Sequence, residues 1–236
     1  MSSPFADLTP DTVMNAVESL GYCCDARIYP LNSYENRVYQ VGIEESRPLI
    51  AKFYRPQIWS SAQIREEHAW TMQLAEADVE VVAPICIANE TLFHCAGFDF
   101  ALYTKSPGSA VSLDDDNHLF ALGQAVGRLH QEPARLFTQR NSLNPVENSH
   151  ESRDFLLTGP FLPQSLHASY RKLTDGLIAE IKNAFETVNY ELRPLHGDFH
   201  AGNVLWDSGP VIVDFDDAHN GPAVQDLWML LSGDQR

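Results

Sequence analysis

The hydrophobic pattern of the first hundred residues predicts a small, mostly antiparallel sheet with two helices. Thr9 followed by Pro10 is a typical helix start, and apolar residues then recur at helical spacing until Gly21 ends the pattern. A second helix is predicted over 60–77. Short β-rich runs between polar turn residues predict strands at 37–42, 48–54, 79–87 and 98–103.

Beyond residue 104 the pattern changes. Residues 105–117 mix Gly, Pro, Ser and Asp, as is typical of a linker or crossover. Two apolar faces at helical spacing follow, formed by Leu119, Leu122, Val126 and Leu129 and by Tyr170, Leu173, Leu177, Ile181 and Phe185. We therefore expect an α+β fold with an N-terminal lobe over 1–104 and a helix-rich C-terminal lobe over 105–236.

Composition narrows the class of protein. The 236 residues suffice for one two-lobed domain, and 32 acidic against 16 basic residues leave a net charge of −16. Such a surface repels phosphate backbones, so we expect no nucleic-acid partner. Four cysteines without a CxxC pair suit a reducing compartment, and no signal peptide or membrane-length apolar run is recognisable. We expect a cytoplasmic monomer that binds no membrane.

The densest chemistry lies in residues 195–222. Two β-rich runs, 204–206 and 211–215, flank the turn sequence Asp-Ser-Gly-Pro. A tip at Ser208 and Gly209 would place Asn203 directly opposite Asp214, with Cβ atoms about 4.5–5.5 Å apart. An amide oxygen and a carboxylate at that separation can share Mg²⁺.

Asp198 lies just upstream, in the loop that enters the first of these strands. A carboxylate beside a metal-bound phosphate can accept a hydroxyl proton, and phosphoryl transfer needs such a base together with metal ligands. Two other interpretations stay open at this point. One is a hairpin with polar ends and a surface loop; the other is a metal hydrolase that uses His196, Asp198, His200 and His219 as ligands.

The strings HGDFHAGN and IVDFDD resemble the catalytic signature of the aminoglycoside phosphotransferase and choline kinase superfamily, relatives of the protein kinases. The resemblance implies a protein-kinase-like fold with ATP and Mg²⁺ as cofactors. It implies that Asp198 is the catalytic base and that Asn203 and Asp214 bind Mg²⁺, so that Asp214 is also catalytic. Asp226 matches an aspartate that braces the catalytic loop, whereas alone it could be an acid favoured by a helix dipole.

The resemblance extends into the N-terminal lobe. Lys52 interrupts the apolar run PLIAKFYRP, and REEHAW resembles the regulatory helix of the family. Spacing selects Glu67, rather than Glu66, as the ion-pair partner that holds Lys52 against the α- and β-phosphates. Without the resemblance, Lys52 is equally well a strand-edge lysine.

Two further elements complete the expected nucleotide site. SYENRVYQV stands in place of a glycine-rich loop but contains no glycine, so Ser33, Asn36 and backbone N–H groups are expected to contact the phosphates. FALYTKSPG resembles the hinge that contacts adenine, which makes residues near Tyr103 and Thr104 the candidates for that contact.

Together with VQDLWMLL and SGD, these strings resemble the bacterial stress response kinase A family over nearly the whole chain. The resemblance implies transfer of the ATP γ-phosphoryl group to Ser or Thr hydroxyls of proteins, including the kinase itself. The family continues with several helices where this chain ends at Arg236, so we expect exposed apolar surface around 227–231. Alternatives are a kinase of aminoglycosides or choline-like alcohols, and a truncated chain that binds nucleotide without turnover.

Overall fold

A computed structural model describes residues 4–132 and 135–231; the SGD string lies outside this part of the chain. The N-terminal lobe contains helices α1 (Pro10–Glu18) and α2 (Ser61–Glu76) and strands β1 (Cys24–Leu31), β2 (Arg37–Ile43), β3 (Leu49–Phe53), β4 (Phe93–Cys95) and β5 (Phe98–Thr104). The strands form one antiparallel sheet in the order β1-β2-β3-β5-β4.

Both N-terminal helices begin where the sequence predicts. The Thr9 hydroxyl accepts a hydrogen bond from the backbone N–H of Thr12, and Ser60 and Gln63 form a reciprocal capping box at the start of α2. Helix α1 contributes to the apolar core on one face of the sheet, which includes Val17 and Phe53. The N-terminal lobe is therefore fixed by local caps and by apolar residues with the expected periodicity.

The strand predicted over 79–87 is not formed as a continuous strand. Pro84 has no N–H group for a ladder, and the segment instead makes isolated bridges. Val82 N donates to Ile212 O at 3.0 Å and Ile85 N donates to Leu102 O at 2.7 Å. The segment thus connects the N-terminal sheet with the C-terminal lobe rather than extending the sheet.

The C-terminal lobe is rich in helices, as predicted. It contains α3 (Asp116–Gln131), α4 (Pro145–Thr158), α5 (His167–Thr187) and α6 (Val224–Trp228), with short strands β6 (Ser109–Ala110), β7 (Arg193–Leu195), β8 (Val204–Trp206), β9 (Pro210–Ile212) and β10 (His219–Gly221). Strands β6, β8 and β9 form one small sheet, and β7 pairs with β10. The result is an α+β, protein-kinase-like architecture of a sheet lobe and a helical lobe.

The core of the C-terminal lobe joins both lobes. Leu122 and Val126 of α3 pack there with Ile212 of β9, and Trp70 and Leu74 of α2 belong to the same cluster. Helix α2 therefore belongs to the sequence of one lobe and packs into the core of the other. The site described below lies between these elements.

The second predicted apolar face, on α5, is not buried within the described structure. Leu173 and Leu177 are 62% and 54% exposed, and Ile178 is the residue of this helix that is buried. Helix α5 packs mainly on α4. The helix was predicted correctly, but its apolar face is only partly covered in the described part of the chain.

The segment expected to expose apolar surface does so. Leu227, Trp228, Met229 and Leu231 are all exposed, Leu231 to 81%. Among the described residues, no helix has the length and apolar character needed to cross a bilayer.

Candidate active site

The β8–β9 hairpin has a different register from the predicted one. Trp206 pairs with Pro210 and Val204 with Ile212, so the loop contains three residues and Ser208 adopts a left-handed conformation, φ 59°. In this register Val213, rather than Asp214, lies across from Asn203, and the Val213 N–H donates to Asn203 O at 3.0 Å. The predicted direct opposition of Asn203 and Asp214 was therefore wrong by one residue.

Asp214 reaches the cleft by a backbone turn instead. Its φ is +66°, a left-handed value that is unusual for a residue other than glycine and is concentrated at functional sites. This turn brings Asp214 Oδ1 to 2.5 Å from Lys52 Nζ, and Asp216 Oδ1 lies 2.6 Å from the same nitrogen. One buried ammonium group therefore holds two carboxylates of the segment after β9.

Lys52, Asp214 and Asp216 shift one another's pKa values. Burial acts to lower the pKa of Lys52, but Asp216 and Asp214 outweigh it, so that the pKa lies well above its usual value. Burial acts to raise the pKa of Asp214, and the Lys52 ammonium reverses this and keeps the pKa low. The pKa of Asp216 is raised, because burial is joined by repulsion from Asp214. Lys52 thus remains charged and Asp214 remains a carboxylate.

Asp226 of α6 holds the loop that carries Asp198. Its carboxylate accepts hydrogen bonds from the backbone N–H groups of His196 (3.0 Å) and Gly197 (2.9 Å), and it lies 2.9 Å from His130 Nε2. Burial acts to raise the pKa of Asp226, and these donors lower it below its usual value. Gly197 has φ +86°, and a Cβ at this position would lie 2.2 Å from Asp217 O. The loop therefore has a fixed conformation at the two residues directly before Asp198.

Asp198 and Asn203 are direct neighbours. Asn203 Nδ2 donates to Asp198 O at 2.9 Å and to Asp198 Oδ2 at 3.2 Å. Because Nδ2 is committed to Asp198, the amide oxygen Oδ1 is left for another partner. His200 Nδ1 accepts from the N–H of Gly202, so its proton resides on Nε2, which lies 3.4 Å from Asp198 Oδ2.

Of these groups, Lys52, Asn203 and Asp214 line one cleft between the lobes. It encloses about 510 Å³, and its walls include Lys52, Glu67, Tyr103, Asn203 and Asp214. A volume of this size is typical of a ligand pocket. Val38, Ile50 and Leu205 contribute apolar surface to the same cleft. A larger but shallow depression lies near Asp25, away from these residues.

The predicted ion pair between Lys52 and Glu67 is not formed within the described structure. Lys52 is held by Asp214 and Asp216 instead. Glu67 is only 3% exposed and its Oε2 lacks a hydrogen-bond partner among the described residues. The neighbouring Glu66 does not face the cleft, since its carboxylate accepts from the backbone N–H groups of residues 138–140. Spacing thus identified the glutamate that lines the cleft, but the partner was wrong.

The residues predicted to contact phosphates serve other contacts here. Asn36 Nδ2 donates to Asp216 Oδ2 and its Oδ1 accepts from the N–H of Arg55, while Ser33 Oγ donates to Asn36 O at 2.9 Å. Neither Ser33 nor Asn36 is among the residues that line the cleft. The β1–β2 loop is therefore tied to the segment that carries Asp214.

Tyr103 and Thr104, the predicted hinge residues, both line the cleft. The Tyr103 hydroxyl lies 3.1 Å from that of Tyr54, which lies 2.8 Å from His68 Nε2. Burial, followed by the positive charge of Lys52, lowers the pKa of His68 to about 3. His68 is thus a neutral part of the wall behind the cleft.

Sequence reasoning missed Asp216 and Arg140. In the sequence, Asp216 was visible only as the acid two residues after Asp214 in the string IVDFDD, and no role was predicted for it. Arg140 carried no signal, because it lies in an irregular loop and acts through tertiary contacts with Asp216, Ala218 and Gln63.

The hydrolase interpretation is not supported. Among the described residues, no group of three or more His, Cys, Asp and Glu is arranged to hold a metal ion. His196 Nε2 lies 2.9 Å from Val213 O, and His219 Nδ1 lies 2.7 Å from Asp217 O. These histidines therefore organise the loops around the cleft.

Comparison with known proteins agrees with this geometry. Residues 27–236 match the model of the phosphotransferase enzyme family. Stress response kinase A of Escherichia coli K12 is 43% identical over 232 residues, which cover 98% of this chain and 70% of the relative. The serine/threonine protein kinase RdoA of Salmonella typhimurium is 42% identical over the same shares of the two chains.

Solved structures share the fold at low identity. Amicoumacin kinase hAmiN, in complex with AMP-PNP, Ca²⁺ and Ami, has a TM-score of 0.71 at 22% identity, with 90% of this chain and 66% of that chain covered. A microcompartment-associated aminopropanol kinase has a TM-score of 0.69 at 19% identity, with 93% and 73% covered. The family model and the level of identity to the curated kinases together show that this chain belongs to the stress response kinase A family of phosphotransferases.

Proposed function

We propose that this chain is an ATP- and Mg²⁺-dependent serine/threonine protein kinase that transfers the γ-phosphoryl group to protein hydroxyls, its own included. The observation that carries the proposal is that Lys52, Asn203 and Asp214 line one cleft, Lys52 in contact with Asp214 and Asn203 in contact with Asp198. Protein kinases use a lysine, two metal ligands and an aspartate base in this arrangement. The naming of the curated relatives supports a role in a bacterial stress response, and we place the reaction in the cytoplasm, in a monomer.

The N-terminal lobe is proposed to bind the nucleotide. Adenine would lie against the apolar part of the cleft near Tyr103 and Thr104, where strand β5 ends. Lys52, already charged and buried, would bind the α- and β-phosphates, while Ser33 and Asn36 bring the β1–β2 loop over them.

Asp214 and the amide oxygen of Asn203 fit a hard cation such as Mg²⁺. Asp214 stays a carboxylate at neutral pH, and the orientation of Asn203 presents an oxygen because its nitrogen binds Asp198. Mg²⁺ prefers one or two such oxygen ligands and completes its shell with water and substrate phosphates. When bound, it would neutralise negative charge on the β- and γ-phosphates.

Asp198 is proposed to act on the acceptor. Its carboxylate would accept the proton of a Ser or Thr hydroxyl while that oxygen bonds to the γ-phosphorus and the bond from phosphorus to the leaving oxygen of ADP breaks. Asn203 orients the Asp198 carboxylate through its hydrogen bond, and His200 Nε2 lies 3.4 Å from the same carboxylate oxygen. The brace from Asp226 fixes the loop that presents it.

The test is phosphate transfer from radiolabelled ATP to a generic protein substrate in the presence of Mg²⁺. We expect phosphoserine or phosphothreonine, and we expect Asp198→Asn to lower the rate by about 10²–10⁴-fold, the usual contribution of a general base. Asp207→Asn is the matched control, because Asp207 is exposed in the hairpin loop. It should leave the rate unchanged.

Three other outcomes would contradict the proposal. Undiminished labelling in Asp198→Asn would remove Asp198 as the base. Turnover stimulated by a small amino alcohol but not by protein would indicate a small-molecule kinase. Nucleotide-dependent thermal stabilisation without any transfer would indicate a chain that binds nucleotide and does not catalyse.

A further inference from the structure

Arg140 is a buried charged residue to which no motif assigns a role. It lies in the loop between α3 and α4 and is only 4% exposed. Its guanidinium group lies over the ring of Trp59, with 4.4 Å between the guanidinium carbon and the ring centroid. A cation–π contact at this distance is favourable, but it does not explain why a full charge is placed in the interior.

The hydrogen bonds of Arg140 explain its burial. Nε donates to Gln63 O of α2 at 3.0 Å, and Nη1 donates to Asp216 O and, at 2.9 Å, to Ala218 O. The planar guanidinium group thus spans from α2, on the N-terminal side of the cleft, to the segment that follows Asp214. Its rigid fork suits several acceptors at once, which the point charge of a lysine cannot match.

The backbone of the same loop also binds α2, through hydrogen bonds to a side chain of that helix. Glu66 accepts hydrogen bonds from the N–H groups of Thr138 (2.7 Å), Gln139 (2.8 Å) and Arg140 (3.0 Å). Burial acts to raise the pKa of Glu66, and these donors lower it below its usual value. A carboxylate of α2 therefore holds the loop, and a guanidinium of the loop holds α2.

Arg140 also acts on the buried carboxyl group of Glu67. Burial raises the pKa of Glu67 to about 8, and the positive charge of Arg140 opposes this more strongly than that of Lys52 does. Both Arg140 Nη2 and Glu67 Oε2 are buried atoms without a hydrogen-bond partner among the described residues. Arg140 therefore reduces the pKa shift that burial imposes on Glu67, while Lys52 is held by Asp214 and Asp216.

We propose that Arg140 is a positioning residue of the active site, which ties α2 to the segment carrying Asp214 and Asp216. In protein kinases the ion pair between the strand lysine and the helix glutamate must be in place for catalysis. Here Arg140 anchors the helix independently of that pair, so Lys52 can contact the carboxylates or the phosphates without releasing α2. This inference rests on the proposed phosphotransferase function.

The test compares Arg140→Lys and Arg140→Gln with the wild type in steady-state kinetics. Displacement of the segment after β9 should misplace Asp214, so we expect the Mg²⁺ activation constant to rise about tenfold and kcat to fall, on the scale of one lost charge-assisted interaction. The KM for the protein acceptor should not change. Arg128→Gln is the matched control, because Arg128 is half exposed and pairs with Glu80 at the surface.

A merely structural role predicts a different result. It would lower the thermal midpoint, and the activity would fall only by the unfolded fraction, with unchanged Mg²⁺ activation; that outcome would overturn the proposal. Guanidinium or methylguanidinium ion should partly restore activity to Arg140→Ala, and failure to restore it in a folded variant would also count against the proposal. Trp59→Leu keeps the guanidinium but removes its stacking partner, and it should change the Mg²⁺ constant in the same direction by a smaller factor.

A readout without turnover separates this inference from the proposed function. Thermal stabilisation of the wild type by ADP and Mg²⁺ together, relative to ADP alone, should shrink in Arg140→Lys and remain in Arg128→Gln. If the wild type binds ADP and Mg²⁺ but transfers no phosphate, the proposed function fails while this comparison still decides the role of Arg140. Equal stabilisation of Arg140→Lys and the wild type would refute that role.

Discussion

Helices α3 and α5 have similar apolar periodicity but opposite surroundings. Leu122, Val126 and Leu129 of α3 are almost completely buried against β9 and α2, whereas Leu173 and Leu177 of α5 are more than half exposed. Helix α5 is the longer of the two, with 21 residues against 16. Periodicity therefore shows that a helix forms and which face is apolar, but not what lies against that face.

The chain spans 70% of the length of the curated relatives that it matches. Exposed apolar residues on the C-terminal lobe include those of α5 and those in and after α6, while the cleft is lined by residues of both lobes. The proposed chemistry thus depends on the part of the molecule with the denser contacts. The following measurements test this contrast.

The largest effect on stability is expected in α3. Leu122→Ala removes a fully buried side chain and should lower the free energy of unfolding by about 2–5 kcal/mol, because it loses apolar burial and leaves a cavity. Urea denaturation followed by tryptophan fluorescence measures this change. A cost below about 1 kcal/mol would mean that the core around α3 and β9 is not packed as described.

An intermediate, pH-dependent effect is expected in α2. The pKa of Glu67 is raised from 4.5 to about 8 by burial, so its protonated form is favoured in the folded state. Its stabilising contribution is complete below about pH 4.5 and is lost as the pH rises through about 8. Glu67→Gln should therefore gain stability relative to the wild type over this range, by a few kcal/mol at most at alkaline pH.

Glu66 provides a matched control of opposite sign. Its pKa is lowered by the backbone N–H groups of residues 138–140, after partial opposition from burial. Its contribution is present above the ordinary glutamate pKa and is lost as the pH falls through the lower folded value. Glu66→Gln should thus lose stability at neutral pH but not gain it at alkaline pH. Chemical denaturation of both variants from pH 5 to 9 checks the contrast, and parallel curves would contradict it.

The smallest effect is expected in α5. Leu173→Gln changes an exposed side chain and should alter the free energy of unfolding by less than about 0.5 kcal/mol. The same urea experiment measures it beside Leu122→Ala. A cost comparable to that of Leu122→Ala would show that another molecule or segment covers α5 in solution.

Much of the fold followed from local signals. The caps at Thr9 and Ser60, the β-rich runs of β2 and β3, and the periodicity of α3 all depend on residues that are close in sequence. The structure of segment 79–87 was not predicted correctly. Its apolar residues indicate a strand, whereas Pro84 prevents a continuous ladder of hydrogen bonds. The register of β8 and β9 also failed, since a three-residue loop with Ser208 in a left-handed conformation has no distinct signature there.

The sequence by itself determined which chemical groups are available: a lysine in a strand, two acids in DFD, and an aspartate and an asparagine five residues apart in HGDFHAGN. Only the tertiary structure decided how they pair. Lys52 binds Asp214 and Asp216 across 162 and 164 positions, and Arg140 joins α2 to the same segment. Such contacts depend on how separate elements pack, and no periodic pattern in the sequence predicts them.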